Sequence, residues 1–179
     1  MMFKAFKLRR RNREIVDALF ATLVEAARQP PLYARMGVPD TPLGRFEALG
    51  VHVHLLLRRC AGDPALKALS QDVLDRFMTD LDASIRELGV GDQSVPKRMK
   101  KLAGMFYERV AGYDAAYDGP EPLPALAAAL PGRVLPPGTD PAGDAARALA
   151  AYMIEARDAM NATSDEDILA GALKTKHLP

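Results

Sequence analysis

The feature that most constrains the fold is a long apolar stripe that begins at Leu66 and ends at Leu88. Its members recur every three or four residues over about six helical turns: Leu66, Leu69, Val73, Phe77, Leu81, Ile85 and Leu88. Asp63 precedes the stripe as an N-cap, and Gly89 follows it, where a left-handed residue usually ends a helix. The spacing therefore predicts one long amphipathic helix between Asp63 and Gly89.

The same period occurs in four further segments of the chain. These segments run from Ile15 to Ala27, Pro42 to Cys60, Val95 to Tyr113, and Asp140 to about Ala162. The second is apolar nearly all round, which predicts a central, buried helix capped by Asp40 or Thr41. Asp92 or Ser94 is expected to cap the third, and Thr163 with Glu166 resembles a capping box for a short final helix.

The composition agrees with a helical protein. Ala and Leu dominate, aromatic residues make up 6% and Trp is absent, whereas strands are rich in aromatic and β-branched residues. We therefore predict an all-α, bundle-like domain of about five to seven helices over residues 14–179. Within it, residues 118–143 hold seven of the fourteen prolines and are expected to form a Pro/Gly-rich connection before the last long helix.

The N-terminal 13 residues form a separate basic segment. Its six basic residues are Lys4, Lys7, Arg9, Arg10, Arg11 and Arg13, and it contains no acid, although the whole chain has a net charge of +1. Phe3, Phe6 and Leu8 lie among these cations, a composition suited to an anionic membrane surface and equally to a solvated end. Since no apolar run is long enough to span a bilayer, we expect a cytoplasmic protein, or one peripheral on the cytoplasmic face of the inner membrane.

The residues that usually carry metal or redox chemistry are few. A single cysteine, Cys60, excludes an internal disulfide, a Cys-based zinc cage and an iron–sulfur cluster. His52 and His54 are two residues apart on a helix and point about 200° away from each other, so they cannot chelate one ion. We expect them to be packed or hydrogen-bonded inside the bundle, and we predict no metal or other cofactor.

Acidic side chains line the helix that follows Asp63. Asp72, Asp75 and Asp82 fall within a sector of about 60°, and Asp80 and Glu87 lie on the same helix. Paired carboxylates in a cleft would be catalytic, whereas a solvated helix face would show the same pattern. Because no nucleophile elbow, phosphate loop or metal motif is present, we predict no catalytic residues. A small enzyme that depends on these carboxylates is kept as the second alternative for the function of the chain.

Cations open the helix that follows the acidic one. Lys97, Lys100 and Lys101 share a sector of about 100°, and Arg98 lies beside them. Cations in the first turns of a helix oppose the macrodipole at about 0.3–1 kcal/mol each, so an anionic partner would explain them. The alternative is a basic face neutralised by the preceding acidic helix.

We predict that further charged residues form a partner-binding surface together with these cations. They are Asp82 and Arg86 of the acidic helix, Asp92 of the loop, and Arg45 with Glu47 beside Gly44. For Arg45 and Glu47 a simple surface ion pair is an equal alternative.

Several ordered runs carry a family resemblance. They are Leu32-Tyr33-Ala34-Arg35 with Gly37-Val38-Pro39-Asp40-Thr41, Gly44-Arg45-Phe46-Glu47, Asp80-Leu81-Asp82, Arg86-Glu87-Leu88-Gly89-Val90-Gly91-Asp92, Val95-Pro96-Lys97-Arg98-Met99-Lys100-Lys101, and Phe106-Tyr107-Glu108-Arg109. Over about residues 30–117 the chain resembles the ubiquinol–cytochrome c chaperone family. The Pro-rich stretch from Pro120 to Pro141 departs from that pattern.

The resemblance implies a helical assembly factor for the cytochrome bc1 complex, complex III of the respiratory chain. Members of this family bind newly made cytochrome b, or another assembly factor, before cytochrome b joins the complex. The first alternative is a nucleic-acid or ribosome-binding module that uses the same cations on phosphates, although no contact with DNA is expected.

Overall fold

The computed structural model describes residues 2–89 and 91–179, and it describes the side chains of the first helix from Arg10 onward. The helices of these residues are α1 Met2–Ala27, α2 Pro30–Ala34, α3 Pro42–Cys60, α4 Pro64–Glu87, α5 Val95–Asp118, α6 Pro122–Ala129, α7 Asp144–Asn161 and α8 Asp165–Leu169. Two of them, α2 and α8, are only five residues long. Because the described part of the chain contains helices and no strand, the all-α prediction is confirmed.

The central position of α3 follows from its apolar surface. Buried residues occur on every side of this helix, and it packs against α1, α4, α5 and α7. Phe46 of α3 stacks on Phe77 of α4 with their ring centroids 5.5 Å apart, and Phe77 meets Phe106 of α5 at 5.6 Å. Three helices are therefore joined through one run of aromatic rings at the core.

The predicted caps are confirmed at two helices. The Thr41 hydroxyl accepts a hydrogen bond from the Gly44 amide, and the Asp63 carboxylate accepts two from the first turn of α4. Gly89 follows α4 with φ of +78°, the left-handed conformation expected there.

Other helix boundaries differ from the predictions. Helix α1 begins at Met2 instead of Ile15, since the basic segment continues the same helix. Helix α7 begins at Asp144, because the Asp140 carboxylate accepts from the Ala142 amide and forms a turn before the helix. At α8 the cap is Ser164, not Thr163. The buried Thr163 hydroxyl accepts from the Lys174 amide instead.

The Pro-rich connection is part of the packed domain. Helix α6 lies in it and packs against α5 and α7. Leu126, Leu130, Val134 and Leu135 of this segment are all at most 1% exposed. The segment therefore supplies core side chains as well as linking α5 to α7.

Candidate partner-binding surface

The basic residues at the start of α5 form an exposed cluster, which we call the basic patch: Lys97, Arg98, Lys100 and Lys101. Val95 and Phe106 lie on the other side of the same helix and are buried in the core, with 1% and 3% of their surface exposed. None of the four cations lies within ion-pair distance of a carboxylate in the described residues. Neutralisation by the acidic helix, the alternative from the sequence, is therefore not seen.

The charged residues that precede the patch pair with each other. Arg86 donates to the Asp82 carboxylate at 2.7 Å and to the Asp92 carboxylate at 2.5 Å. The structure thus brings three predicted site residues together beside the loop that leads to α5. Because Arg86 already binds both acids, neither acid is directed at the basic patch.

Arg45 and Glu47 do not share a surface. Arg45 is exposed and pairs with Asp40 at 2.7 Å, whereas Glu47 is 4% exposed and pairs with Arg109 of α5 at 3.1 Å. Residues two apart on a helix point about 200° away from each other, so one faces water when the other faces the core. The assignment of Glu47 to an exposed partner-binding surface is wrong, and so is the alternative of an Arg45–Glu47 surface pair.

Glu47 belongs to a charged network that the sequence analysis missed. Arg109 binds Glu47 and also the neighbouring Glu108, whose other oxygen meets Arg133 at 2.5 Å. The hydrogen bond from Arg133 lowers the pKa of Glu108. Helical periodicity could not reveal this network, because Arg133 comes from the turn after α6. The only sequence signal was the presence of Glu108 and Arg109 in the family-like run.

His52 is buried in a hydrogen-bonded chain. Its Nδ1 lies 2.8 Å from the Ala48 carbonyl, which can only accept, so Nδ1 carries the proton. Nε2 is then free to accept from the Tyr152 hydroxyl at 2.7 Å, and Gln29 donates to the Tyr152 oxygen at 3.2 Å. Burial lowers the pKa of His52 to about 4, so the ring is neutral at neutral pH.

His54 faces a different neighbour. Its Nε2 lies 2.8 Å from the Asp114 carboxylate, which also accepts from Arg58 at 2.9 Å. Both histidines are therefore hydrogen-bonded inside the bundle, as predicted. Across the described residues no group of three or more His, Cys, Asp or Glu side chains is placed to hold a metal ion.

The α4 carboxylates are hydrogen-bonded at the surface of the bundle. Asp72 accepts from Asn12 at 2.8 Å, Asp75 from Gln71 at 3.1 Å, and Asp80 from Arg76 at 3.3 Å. Each acid thus has its own partner on the surface of the bundle. Asp72 and Asp75 line one surface groove together with Asp17 and Arg76.

A groove lies at one end of the bundle, where α1 and α4 end and α3 begins. It has a volume of about 480 Å³, and its apolar lining includes Val24, Phe46, Leu49, Phe77, Leu81 and Leu88. The turn Asp40-Thr41-Pro42 forms one lip. Gly44 makes this lip possible, since a Cβ at position 44 would lie 1.9 Å from the Pro39 carbonyl oxygen. A side chain at position 44 would therefore not fit against this turn.

Comparison with known proteins gives two matches. The model of the family described as "Ubiquinol-cytochrome C chaperone" matches residues 34–175. This match extends past residue 117 and includes the Pro-rich connection. The crystal structure of the Cbp3 homolog from Brucella abortus is 45% identical and superimposes with a TM-score of 0.86, covering 99% of this chain and 97% of that one. No curated protein matches the chain.

Proposed function

Since the chain belongs to the ubiquinol–cytochrome C chaperone family, we propose that it is a non-catalytic assembly chaperone of the cytochrome bc1 complex. Its client is newly made cytochrome b, held directly or through another assembly factor. The family match and the similarity to the Cbp3 homolog support this role. The basic patch is the observation that supports a contact surface at the start of α5. Its four cations are exposed and have no carboxylate partner in the described residues.

The position of the patch on α5 supports a binding role. Lys97 and Arg98 lie in the first turn of the helix, where the macrodipole disfavours a positive charge. An acidic loop of the client or of a second assembly factor would offset this cost and form charge-assisted hydrogen bonds. Arg86, Asp82 and Asp92 lie just before the patch and would frame the contact without neutralising it.

Charge reversal in the patch tests the proposal. In cells whose cytochrome bc1 complex depends on this chain, Lys97→Glu combined with Lys100→Glu should reduce mature cytochrome b at least tenfold. The matched control is Lys67→Glu with Arg147→Glu, which reverses two exposed cations elsewhere and changes the net charge equally. Cytochrome b would be measured by its haem absorbance in isolated membranes, and each variant's folding by circular dichroism.

Two outcomes would contradict the proposal. A folded patch variant with normal cytochrome b would remove this surface from the mechanism. Binding to a phosphate polymer with steep salt dependence, regardless of the client, would indicate the nucleic-acid or ribosome-binding alternative instead.

We also propose that the start of α1 contacts the membrane surface. Arg10, Arg11 and Arg13 are exposed there, and the side chains of Lys4, Lys7 and Arg9 lie outside the described residues. In the described part of the chain, no helix is long and apolar enough to cross a bilayer. Each basic residue near anionic lipid contributes about 1 kcal/mol. Flotation with vesicles containing anionic lipid should therefore capture the chain, and neutral vesicles should not.

A further inference from the structure

The residues after α8 cross the surface as an extended segment that is held by side chains from other helices. The Gln29 amide lies at the end of α1 and pairs with this segment on both sides of His177. Its Oε1 accepts from the Leu178 amide at 2.6 Å, and its Nε2 donates to the Lys176 carbonyl at 2.9 Å. This two-point pairing imitates the way a neighbouring β-strand binds extended backbone, and it does not depend on the side chain at position 177.

Side-chain contacts give the interaction specificity. The Lys176 ammonium lies 2.7 Å from the Glu155 carboxylate of α7. Leu173 and Leu178, five residues apart, are partly buried against the core. At the far end Arg35 donates to the Pro179 carbonyl at 2.9 Å. Together these contacts define a pattern of two apolar residues that flank a basic one.

The receptor surface is held in place independently of the segment. Gln29 Nε2 also lies 3.1 Å from the Ala26 carbonyl and 3.2 Å from the Tyr152 hydroxyl, which in turn meets His52, so its two N–H groups are shared among these two acceptors and the Lys176 carbonyl. The buried chain from Gln29 to Ala48 therefore fixes the amide before any peptide is added. A preorganised hydrogen-bonding group of this kind lowers the cost of binding a flexible ligand.

The segment itself is held less firmly than the core. It contains no helix, and most of its side chains are exposed or only partly buried. Segments with few buried apolar contacts open at a smaller free energy than the global unfolding. Leaving the surface would break the segment's hydrogen bonds to Gln29 and Arg35, and also those that Lys174 donates to the Thr163 hydroxyl and the Ala162 carbonyl.

We propose that the surface formed by Gln29, Arg35 and Glu155 is a binding site for an extended peptide, and that residues 173–178 of the chain itself are its built-in, displaceable ligand. The site accepts a segment in which apolar residues flank a lysine or arginine, with a free backbone amide two residues after the basic residue. An extended segment of a partner with this pattern binds by displacing the built-in one. The proposal is independent of cytochrome b and of the basic patch.

The test uses the full chain and a fluorescent peptide with the sequence of residues 171–179. In one variant, Leu178→Pro removes the amide that donates to Gln29, and Lys176→Glu places a second acid against Glu155. The peptide should bind this variant at least tenfold more tightly than the unaltered chain, in which the tethered segment competes at high effective concentration. Fluorescence anisotropy measures both affinities.

The controls change the peptide and leave the protein untouched. A peptide carrying Leu178→Pro, and another carrying Lys176→Glu, should each bind the variant at least tenfold more weakly than the original peptide. Equal binding of all three peptides, or equal binding to the variant and the unaltered chain, would overturn the proposal.

A second measurement needs no variant. In the unaltered chain, hydrogen exchange at the Leu178 amide should accelerate as the free peptide is added, while exchange in α3 stays constant. If saturating peptide leaves the Leu178 amide unchanged, the segment is a fixed part of the fold and not a ligand.

Discussion

The two halves of α5 carry the same number of charged side chains and use them differently. The first half has Lys97, Arg98, Lys100 and Lys101, all exposed and without a carboxylate partner in the described residues. The second half has Glu108, Arg109, Asp114 and Asp118, which pair with Arg133, Glu47 and Arg58.

The difference lies in what surrounds each half. The second half is packed against α3 and against the connection that follows α6, and both carry opposite charges. Charges in the second half therefore stabilise the fold, and those in the first half remain available to another molecule.

The two halves should differ most in the loss of stability that follows when one charge is removed from each. Arg109→Met leaves the Glu47 carboxylate buried without its partner, so the free energy of unfolding should fall by about 3–5 kcal/mol. The matched Lys100→Met substitution in the basic patch should change it by less than about 0.5 kcal/mol. Urea denaturation followed by circular dichroism measures both, and equal losses would show that the two halves do not differ energetically.

Lowering the pH should reduce the stability of the fold through its buried histidines and not through the basic patch. The folded pKa of His52 is about 4, below its ordinary value of 6.5. Between these values the unfolded chain binds a proton that the folded chain does not, so stability present above pH 6.5 is lost progressively as the pH falls towards 4. The difference corresponds to about 3 kcal/mol.

A His52→Asn variant isolates this effect. His54, whose pKa burial also lowers, contributes in the same direction and is retained in the variant. Urea titrations between pH 7 and 4.5 should show a shallower fall in stability for His52→Asn than for the unaltered chain. A Lys97→Gln, Lys100→Gln variant, altered only at exposed positions of the basic patch, is the control and should keep the original slope. Identical slopes for all three would rule out His52 as the buried group that responds to acid.

The smallest effect is expected from reversing a charge at the start of α5. Lys97→Glu replaces a cation that opposes the macrodipole with an anion that favours it, so stability should rise by about 0.3–1 kcal/mol. The control for altered net charge is Lys101→Glu, an exposed position of the same helix beyond its first turn. A loss of stability at position 97 would indicate an intramolecular role for that lysine.

Much of the fold could be predicted because its signals are local. The apolar stripe of α4, its Asp63 cap and Gly89 depend on residues within one helix or next to it, and these predictions are confirmed except at Leu88, which follows the last helical residue and is 63% exposed. Burial of α3 was also visible, since a helix that is apolar on every side has to lie at the centre.

The missed features depend on distant parts of the chain. Glu47 reads as a surface residue until Arg109, 62 positions later, is placed beside it. Thr163 was expected to cap α8 on local grounds, but the Lys174 amide reaches its hydroxyl from outside that helix. Gln29 gave no signal, since its partners are backbone groups 147 and 149 residues away. Local propensity cannot anticipate pairings that tertiary packing creates.

The contact between Gly44 and the Pro39 carbonyl has an evolutionary consequence. Even the single methyl group of alanine at position 44 would collide with that oxygen. Gly44 can therefore be substituted only if the backbone at Pro39 changes as well. Among descendants of this chain, we expect the two positions to be inherited together or replaced together.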